Sequence, residues 1–281
     1  MFFKTPALLV LAALIGIAQA APQPVRTVSL NGTSPTPIPS NQPNPPTPAA
    51  GNSTATRSFG MLLYPGFTAL DVFGPLEWLN MLSTSHNITL SLISTTNSTN
   101  LTGISSLAQG TPMSMSLTGA VGETILPTHT LLTAPKLDIL IVPGGLGTRS
   151  EVNNTDISAF INARYPELEY LLSVCTGAAL LAKSGVLDGR RATGTKFSWK
   201  FITGQSDKVE WVPRARWVED GNVLTSSGVT AGMDMMYYFV GKLYGEKLAT
   251  RLTNVIEYIP IKNSTFDPFA DIWNVTSSTM A

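Results

Sequence analysis

Apolar runs and amphipathic stretches alternate along the central part of the chain, which predicts alternating strands and helices. The runs FGMLLY (59–64), LDILIVPGG (137–145) and YLLSV (170–174) are typical of buried parallel strands, and ITLSLIST (88–95) alternates like a strand. Helical patterns follow these runs at residues 65–82, 157–166, 176–187 and 228–245. This order predicts an α/β fold with a doubly wound, mostly parallel sheet sandwiched by helices, which binds ligands beyond the carboxyl ends of its strands.

Two further regions have strand patterns. Asp220-Gly221 joins two strand runs within residues 214–228, and this dipeptide is typical of a tight hairpin turn. Residues 111–135 show short apolar runs separated by Gly and Pro, from which we expect short antiparallel strands. A short strand is also predicted over residues 191–195.

The two ends of the chain have a different composition from its centre. Residues 1–20 resemble a secretory signal peptide, with Lys4 near the start, an apolar stretch, and a small-x-small cleavage site ending at Ala20. Residues 21–57 contain nine prolines and few large apolar residues, which predicts a disordered linker. Residues 58–260 are long enough for one domain with a substantial core. We expect 261–281 to be a loosely attached tail, and the protein to be secreted.

Glycosylation sequons support the prediction of export. Eight Asn-x-Ser/Thr motifs occur, none of them between residues 154 and 262, as expected if that half of the chain is mostly packed core. The candidate glycosylation sites are Asn31, Asn52, Asn87, Asn97, Asn100, Asn153, Asn263 and Asn274.

Charge and motif content exclude several classes of partner. The chain has 18 basic and 18 acidic residues, so neither nucleic acid nor an anionic membrane surface would attract it strongly. No stretch after the signal peptide reaches about 18 uninterrupted apolar residues. The chain has no metal-ligand cluster or phosphate loop, and GGLG (144–147) lacks the third glycine of a dinucleotide site. We therefore expect a small-molecule substrate, with no cofactor and no metal.

Cys175 is the only cysteine, so it cannot form a disulfide within the chain. It lies where an apolar run turns at Cys-Thr-Gly into a helical pattern. Such a turn places the side chain above the sheet, at the N-terminus of the following helix, where the helix dipole favours thiolate. We expect a reactive thiol with a depressed pKa. The alternative is a buried cysteine that behaves as a small hydrophobe.

A family resemblance rests on several sequence blocks in order. YPGFTALDVFGPLEWLN, LDILIVPGG, SVCTGAALLAKSGVLDGRRAT, ARWVEDGNVLTSSGVTAGMD and EYIP resemble the ThiJ/PfpI superfamily, with its class I glutamine amidotransferase-like fold, and are most similar to its isonitrile hydratase-like branch. The resemblance covers residues 58–260. It implies a flavodoxin-like sheet, a cysteine on a strained nucleophile elbow and a homodimer.

The same resemblance implies roles for four residues. Cys175 matches the nucleophile, Asp71 the acid beside its sulfur, and Thr176 the residue that follows the nucleophile. The N–H groups of Gly145 and Thr176 match a pair of donors that form an oxyanion-type hole. Asp71 could instead cap the helix over FGPLEWLN, with Pro75 in its first turn. Gly144-Gly145 could simply form a tight turn.

The chain also departs from the family pattern. Many members that hydrolyse amides or peptides carry a histidine where this chain has Thr195 and Lys196. The two histidines here are His86, in a polar stretch, and His129, in a predicted strand, where a structural role is more common. Amidotransferase or protease chemistry would therefore lack its usual base.

A thiolate and a nearby carboxyl group can still hydrate an isonitrile. Attack by Cys175 with Asp71 as the acid would give a thioimidate, which water releases as an N-substituted formamide. For this role the pKa of Asp71 would have to be raised, which burial beside Phe73 and a thiolate would achieve. The pair would then titrate as a unit.

Two other functions remain open at this point. One is a glyoxalase- or deglycase-like activity on α-oxoaldehydes. The other is a secreted glycoprotein that binds a ligand or senses oxidants, with Cys175 oxidising to sulfinic acid. Three aromatic side chains could line a pocket or belong to the core: Phe67, Trp78 and Trp199.

Overall fold

The computed structural model describes residues 56–95, 101–107 and 121–275. The predicted signal peptide, nearly all of the predicted linker, and the sequons at Asn31, Asn52, Asn97 and Asn100 lie outside these ranges. Within them, no helix combines the length and the apolar composition that crossing a membrane requires.

The centre of the domain is a mostly parallel sheet. The strands are β1 Arg57–Leu63, β2 Ile88–Ser94, β3 Ile104–Ser105, β4 Thr124–Ile125, β5 His129–Thr130, β6 Ile139–Val142, β7 Tyr170–Ser173, β8 Arg191–Ala192, β9 Glu210–Trp211, β10 Trp217–Asp220 and β11 Val223–Ser226. Over the described residues, seven of them form one sheet in the order β10-β11-β7-β6-β1-β2-β5. Only the β10–β11 pair in this sheet is antiparallel.

Helices cover both faces of this sheet. They are α1 Ala69–Ser83, α2 Thr148–Glu151, α3 Thr155–Arg164, α4 Gly177–Ser184, α5 Trp199–Thr203, α6 Val229–Tyr244, α7 Glu246–Val255 and α8 Phe269–Ile272. Strand β1 shows why two layers form, because its side chains alternate between the faces. Leu62 packs in the cluster of α3 and α4, whereas Met61 and Leu63 pack in that of α1 and α6. The predicted α/β sandwich is confirmed.

The two regions predicted from turns and short runs had different outcomes. The hairpin around Asp220-Gly221 is confirmed, as β10 and β11. Residues 108–120 lie outside the described part of the chain, and β3 and β4 are antiparallel. The prediction of antiparallel strands is wrong for β5, which continues the parallel sheet beside β2. The strand predicted over 191–195 is two residues long and pairs with β9.

The domain begins slightly earlier than the sequence predicts. Arg57, assigned above to the linker, is the first residue of β1 and forms a 2.9 Å ion pair with Glu169. Its guanidinium also lies over the ring of Tyr244. The linker therefore ends before residue 57.

The prediction of a loosely attached tail is wrong for residues 261–275. The Arg216 N–H donates a 2.6 Å hydrogen bond to the Ser264 carbonyl. Asp267 is buried and lies 3.2 Å from Lys196 Nζ. A buried carboxylate needs such a partner, so this part of the tail is fixed to the domain.

Four sequon asparagines fall in the described part of the chain. All are exposed: Asn87, Asn153, Asn263 and Asn274. Their exposure is what attachment of a glycan requires, and glycosylation stays a prediction.

Candidate active site

Cys175 occupies a strained turn between β7 and α4. Its φ is +59°, in the left-handed region that residues with a side chain rarely adopt. The Cys175 N–H is shared between the carbonyls of Ser226 and Ser227, at 3.2 and 3.0 Å, which lie at the end of the neighbouring strand β11. The sheet thus holds the elbow expected at this cysteine.

Asp71 is a fully buried residue in the first turn of α1. Thr68 occupies the N-cap position, so the alternative that Asp71 caps this helix is wrong. Pro75 lies inside the helix rather than in its first turn. Asp71 Oδ2 accepts a 3.0 Å hydrogen bond from the Gly144 N–H. Oδ1 is buried and has no hydrogen-bond partner among the described residues.

Three parts of the chain converge on the α-carbon of Gly144. A methyl group placed there would lie 2.5 Å from Thr176 N, 2.8 Å from Asp71 Oδ2 and 2.8 Å from Cys175 Cβ. Such contacts leave no room for a side chain, so this close approach requires glycine. The ends of β6 and β7 and the start of α1 therefore bring the carboxyl and the thiol together.

The carboxyl and the thiol control each other's protonation. Burial raises the pKa of Asp71 to about 7, although hydrogen bonds from Gly144 N–H and the Cys175 thiol oppose it. Burial also raises the pKa of the Cys175 thiol, and the Asp71 carboxylate raises it further. The depressed thiol pKa expected from the helix N-terminus is therefore wrong. The two groups therefore titrate as a coupled pair, which holds two protons well below pH 7 and one proton above it.

Thr176 contributes both its backbone and its side chain. Its N–H interacts with the Cys175 sulfur and favours the thiolate. Its Oγ1 accepts a 2.8 Å hydrogen bond from the Gly145 N–H and lies 2.6 Å from Thr148 Oγ1. The Gly145 N–H is thus occupied rather than open to a ligand, which corrects the predicted pair of oxyanion donors. Gly145, at φ +144°, positions Thr176 instead.

Neither histidine is placed to act on the cysteine. His129 lies in β5, the edge strand four places from β7, which is about 19 Å across the sheet. Its Nδ1 lies 2.8 Å from Thr128 Oγ1. His86 packs edge-to-face on Tyr244. This arrangement agrees with the expectation that Cys175 and a histidine do not form a catalytic pair.

Thr195 contacts the cysteine, and the next residue, Lys196, is buried nearby in the chain. The Thr195 side chain interacts with the sulfur, and the Thr195 N–H donates to the Cys175 carbonyl at 3.4 Å. Lys196 is buried, which lowers its pKa to about 8. Its Nζ lies within 3.1 Å of four oxygens, on Thr193, Gly194, Ala215 and Ser227. The sequence feature that could have identified Lys196 as a buried residue is its position in a segment of small and apolar residues.

The remaining candidates are structural or peripheral. Phe67 and Trp78 belong to the core. Trp199 packs on Lys196. Phe73, expected beside Asp71, is 39% exposed. Within the described ranges, no group of three or more His, Cys, Asp or Glu side chains could hold a metal ion.

Comparison with known proteins identifies the family. The sequence model of the DJ-1/PfpI family matches residues 58–242, which include the elbow, Asp71 and the Gly144-Gly145 turn. The chain belongs to the DJ-1/PfpI family. Asp71 and Cys175 therefore meet on a family scaffold, as the resemblance of the sequence blocks implied.

Relatives of this family member differ in function. Isonitrile hydratase of Pseudomonas putida is 30% identical over 203 residues, which cover 72% of this chain and 78% of the relative. The HTH-type transcriptional regulator GbdR of Pseudomonas aeruginosa is 31% identical over 144 residues, or 50% of this chain and 38% of the regulator. A ThiJ/PfpI family protein of Pseudomonas syringae superposes with a TM-score of 0.60 at 28% identity, covering 77% of this chain and 83% of that one.

Proposed function

We propose that this protein is a secreted, cysteine-dependent enzyme that hydrates an isonitrile to an N-substituted formamide. The observation that carries the proposal is the buried pairing of Asp71 with Cys175, with no histidine in reach. The similarity to a bacterial isonitrile hydratase supports the same reaction class.

The first step adds the Cys175 thiol across the terminal carbon of the isonitrile. Asp71, as a carboxylate, takes the thiol proton while the sulfur forms a bond to that carbon. The carboxyl group then delivers the same proton to the same carbon, which gives a thioimidate. The raised pKa of Asp71 suits it to both transfers near neutral pH, since a general acid–base group works best when its pKa is close to the working pH.

The second step releases the product with water. Water adds to the thioimidate carbon while Asp71 accepts one of its protons and passes that proton to the nitrogen. As the carbon–sulfur bond breaks, the remaining hydroxyl proton moves through Asp71 to the sulfur. The products are the N-substituted formamide and the regenerated thiol. The Thr176 N–H, which interacts with the sulfur, stabilises negative charge on it as it leaves.

Turnover by the purified protein tests this proposal. Cyclohexyl isonitrile is incubated with the wild type, and the N-cyclohexylformamide formed is measured by NMR. We expect catalytic formation that Cys175→Ala abolishes. In ¹⁸O-labelled water the label should enter the formamide oxygen. Absence of turnover over pH 5 to 9 by a folded wild-type protein would reject the proposal.

A second candidate is a sensing protein on the same fold. The match to a transcriptional regulator favours it, because half of this chain is similar to a protein that is described as a regulator rather than as an enzyme. Mild peroxide would then add two oxygens to Cys175, as a sulfinic acid, without any isonitrile turnover. A glyoxalase- or deglycase-like activity has no such observation in its favour.

Secretion and assembly complete the proposal. Culture medium should contain a chain that begins at residue 21 and loses mass on treatment with an endoglycosidase. Light scattering should give the mass of a homodimer. A cytosolic, unglycosylated product would contradict the proposed export.

A further inference from the structure

A small cavity lies directly beside the cysteine elbow. It has a volume of about 190 Å³, and Thr195, Lys196 and Ser227 form part of its wall. The Thr195 side chain interacts with the Cys175 sulfur, and the Ser227 carbonyl accepts the Cys175 N–H at 3.0 Å. Thr195 and Ser227 therefore contact both the cavity and Cys175, which is itself 7% exposed and does not line the cavity.

The opposite wall comes from residues 263–275, which we call the C-terminal strap. Phe269 and Trp273 of the strap line the cavity. The strap is anchored just before Phe269 and again between Phe269 and Trp273. Asp267 forms the buried ion pair with Lys196, and Asp271 Oδ2 accepts a 2.8 Å hydrogen bond from Arg214.

Charge around the cavity is balanced. Lys196 is paired with Asp267, and Arg216 lies 2.6 Å from Asp234 Oδ2. Both cations that line the cavity are therefore already neutralised by buried carboxylates. The cavity offers aromatic surface and hydroxyl groups without free charge, which suits a neutral, apolar group.

The volume of the cavity indicates the size of the group that fits between its walls. An apolar cavity of about 150 Å³ accepts a benzene molecule. The 190 Å³ cavity beside Cys175 therefore has room within its walls for a substituent of about one six-membered ring.

We infer that the C-terminal strap limits the size of the group that can lie beside Cys175, with Phe269 and Trp273 as the specificity-determining residues. Where the proposed function holds, this group is the nitrogen substituent of the isonitrile, and single-ring substituents are preferred. That substrate assignment rests on the proposed function, whereas the size limit rests on the cavity alone.

Alkylation of Cys175 tests the size limit without relying on turnover. The full-length mature protein is labelled at pH 9 with N-phenyl and N-(1-naphthyl) iodoacetamide, and the rates are measured by intact mass. Because forcing a second ring into a packed site is costly, we expect the wild-type protein to react about tenfold more slowly with the naphthyl reagent than with the phenyl reagent. Phe269→Ala and Trp273→Ala should each bring the two rates to within about threefold.

Matched variants exclude a general loosening of the strap. Phe266 lies in the same segment, is 54% exposed and does not line the cavity, so Phe266→Ala should keep the wild-type ratio. Phe269→Trp should increase the discrimination, and Phe269→Leu provides a milder change should the alanine variant fail to fold. An unchanged ratio in the Phe269 and Trp273 variants, or no labelling of Cys175 in any of them, would overturn the inference.

The isonitrile assay then separates the two proposals. Turnover of phenyl but not 1-naphthyl isonitrile by the wild type, with naphthyl turnover gained in Phe269→Ala, supports both. A changed alkylation ratio with no turnover of either isonitrile keeps the strap inference and rejects the proposed function. Turnover with equal rates for both isonitriles in every variant rejects the strap inference alone.

Discussion

The Gly144 N–H donates a 3.0 Å hydrogen bond to Asp71 Oδ2 across 73 residues of sequence. This bond joins the turn after β6 to the first turn of α1, and it fixes one carboxyl oxygen of Asp71. The other oxygen is buried and has no hydrogen-bond partner in the part of the chain that the structure describes. A carboxyl group held in this way, next to a thiol, is available for proton transfer and is costly to ionise.

The first prediction is that Asp71→Asn will damage the chemistry far more than the fold. The amide keeps an oxygen for the Gly144 N–H but cannot transfer a proton. Loss of general acid–base catalysis lowers rates by about 10² to 10⁴, which is about 3 to 5 kcal/mol of barrier. The measurement is kcat/KM for isonitrile hydration.

A matched control for Asp71→Asn is Asp138→Asn. Asp138 immediately precedes β6, at the opposite end of that strand from Gly144, and accepts a 2.7 Å hydrogen bond from the Ser58 N–H. It is another carboxylate that holds a backbone N–H, so its replacement should leave kcat/KM within a few-fold of the wild type. Near-normal turnover by Asp71→Asn would reduce Asp71 to a structural role.

The second prediction concerns the pH dependence of kcat/KM in the free enzyme. The active form holds one proton on the pair, so activity should rise as pH passes about 7, where Asp71 loses its proton. It should fall again only above the ordinary pKa range of a thiol, because the pKa of Cys175 is raised. In Asp71→Asn the rising limb near pH 7 should disappear. A profile that is flat from pH 5 to 8 in the wild type would contradict the shared proton.

The third prediction is a pH-dependent gain in stability for Asp71→Asn. The pKa of Asp71 is about 7 in the folded protein against 3.8 unfolded, so the folded state binds more protons between these values. The contribution of Asp71 to the free energy of unfolding is therefore fully present below pH 3.8. It is lost as pH rises through 7, and the loss amounts to up to about 4 kcal/mol. Relative to the wild type, the variant should be more stable at pH 8 than at pH 4.

Chemical denaturation at the two pH values measures this difference. Cys175→Ala removes the neighbouring thiol but keeps the carboxyl group. Its free energy of unfolding should therefore change with pH in the same direction as that of the wild type, and it serves as the control. An Asp71→Asn variant with the same stability relative to the wild type at pH 4 and pH 8 would mean that the folded-state pKa of Asp71 is not raised.

The fourth prediction concerns the anchor of the C-terminal strap. Asp267→Ala leaves Lys196 buried without its counter-ion, and such a loss costs about 3 to 5 kcal/mol of unfolding free energy. Replacing both partners, as Lys196→Met with Asp267→Leu, should recover most of that loss, because no uncompensated charge remains. Urea denaturation measures both variants.

The exposed ion pair of the strap is the natural control for this experiment. Arg214 and Asp271 are both more than half exposed, so Asp271→Ala should cost less than about 1 kcal/mol. Equal costs for Asp267→Ala and Asp271→Ala would show that the buried pair does not anchor the strap.

The sequence determined the order of strands and helices, the sandwich and the cysteine elbow. Alternation and apolar runs encode which faces are buried, so β1, β6 and β7 could be identified from local pattern alone. The turn at Cys175 and the hairpin at Asp220-Gly221 follow from residues adjacent in sequence. The partnership of Asp71 with Cys175 came from the family resemblance, since nothing in the spacing of two residues so far apart specifies their contact.

The tertiary structure alone decided the protonation of the site and the role of the tail. The raised pKa of the Cys175 thiol depends on burial and on a carboxylate from another helix, and these outweigh the helix N-terminus that local sequence suggested. Likewise, the packing of Asp267 against Lys196 depends on contacts between segments about 70 residues apart in sequence. Local periodicity reports which side of an element is buried, whereas desolvation and charge pairing depend on which other elements are brought to that side.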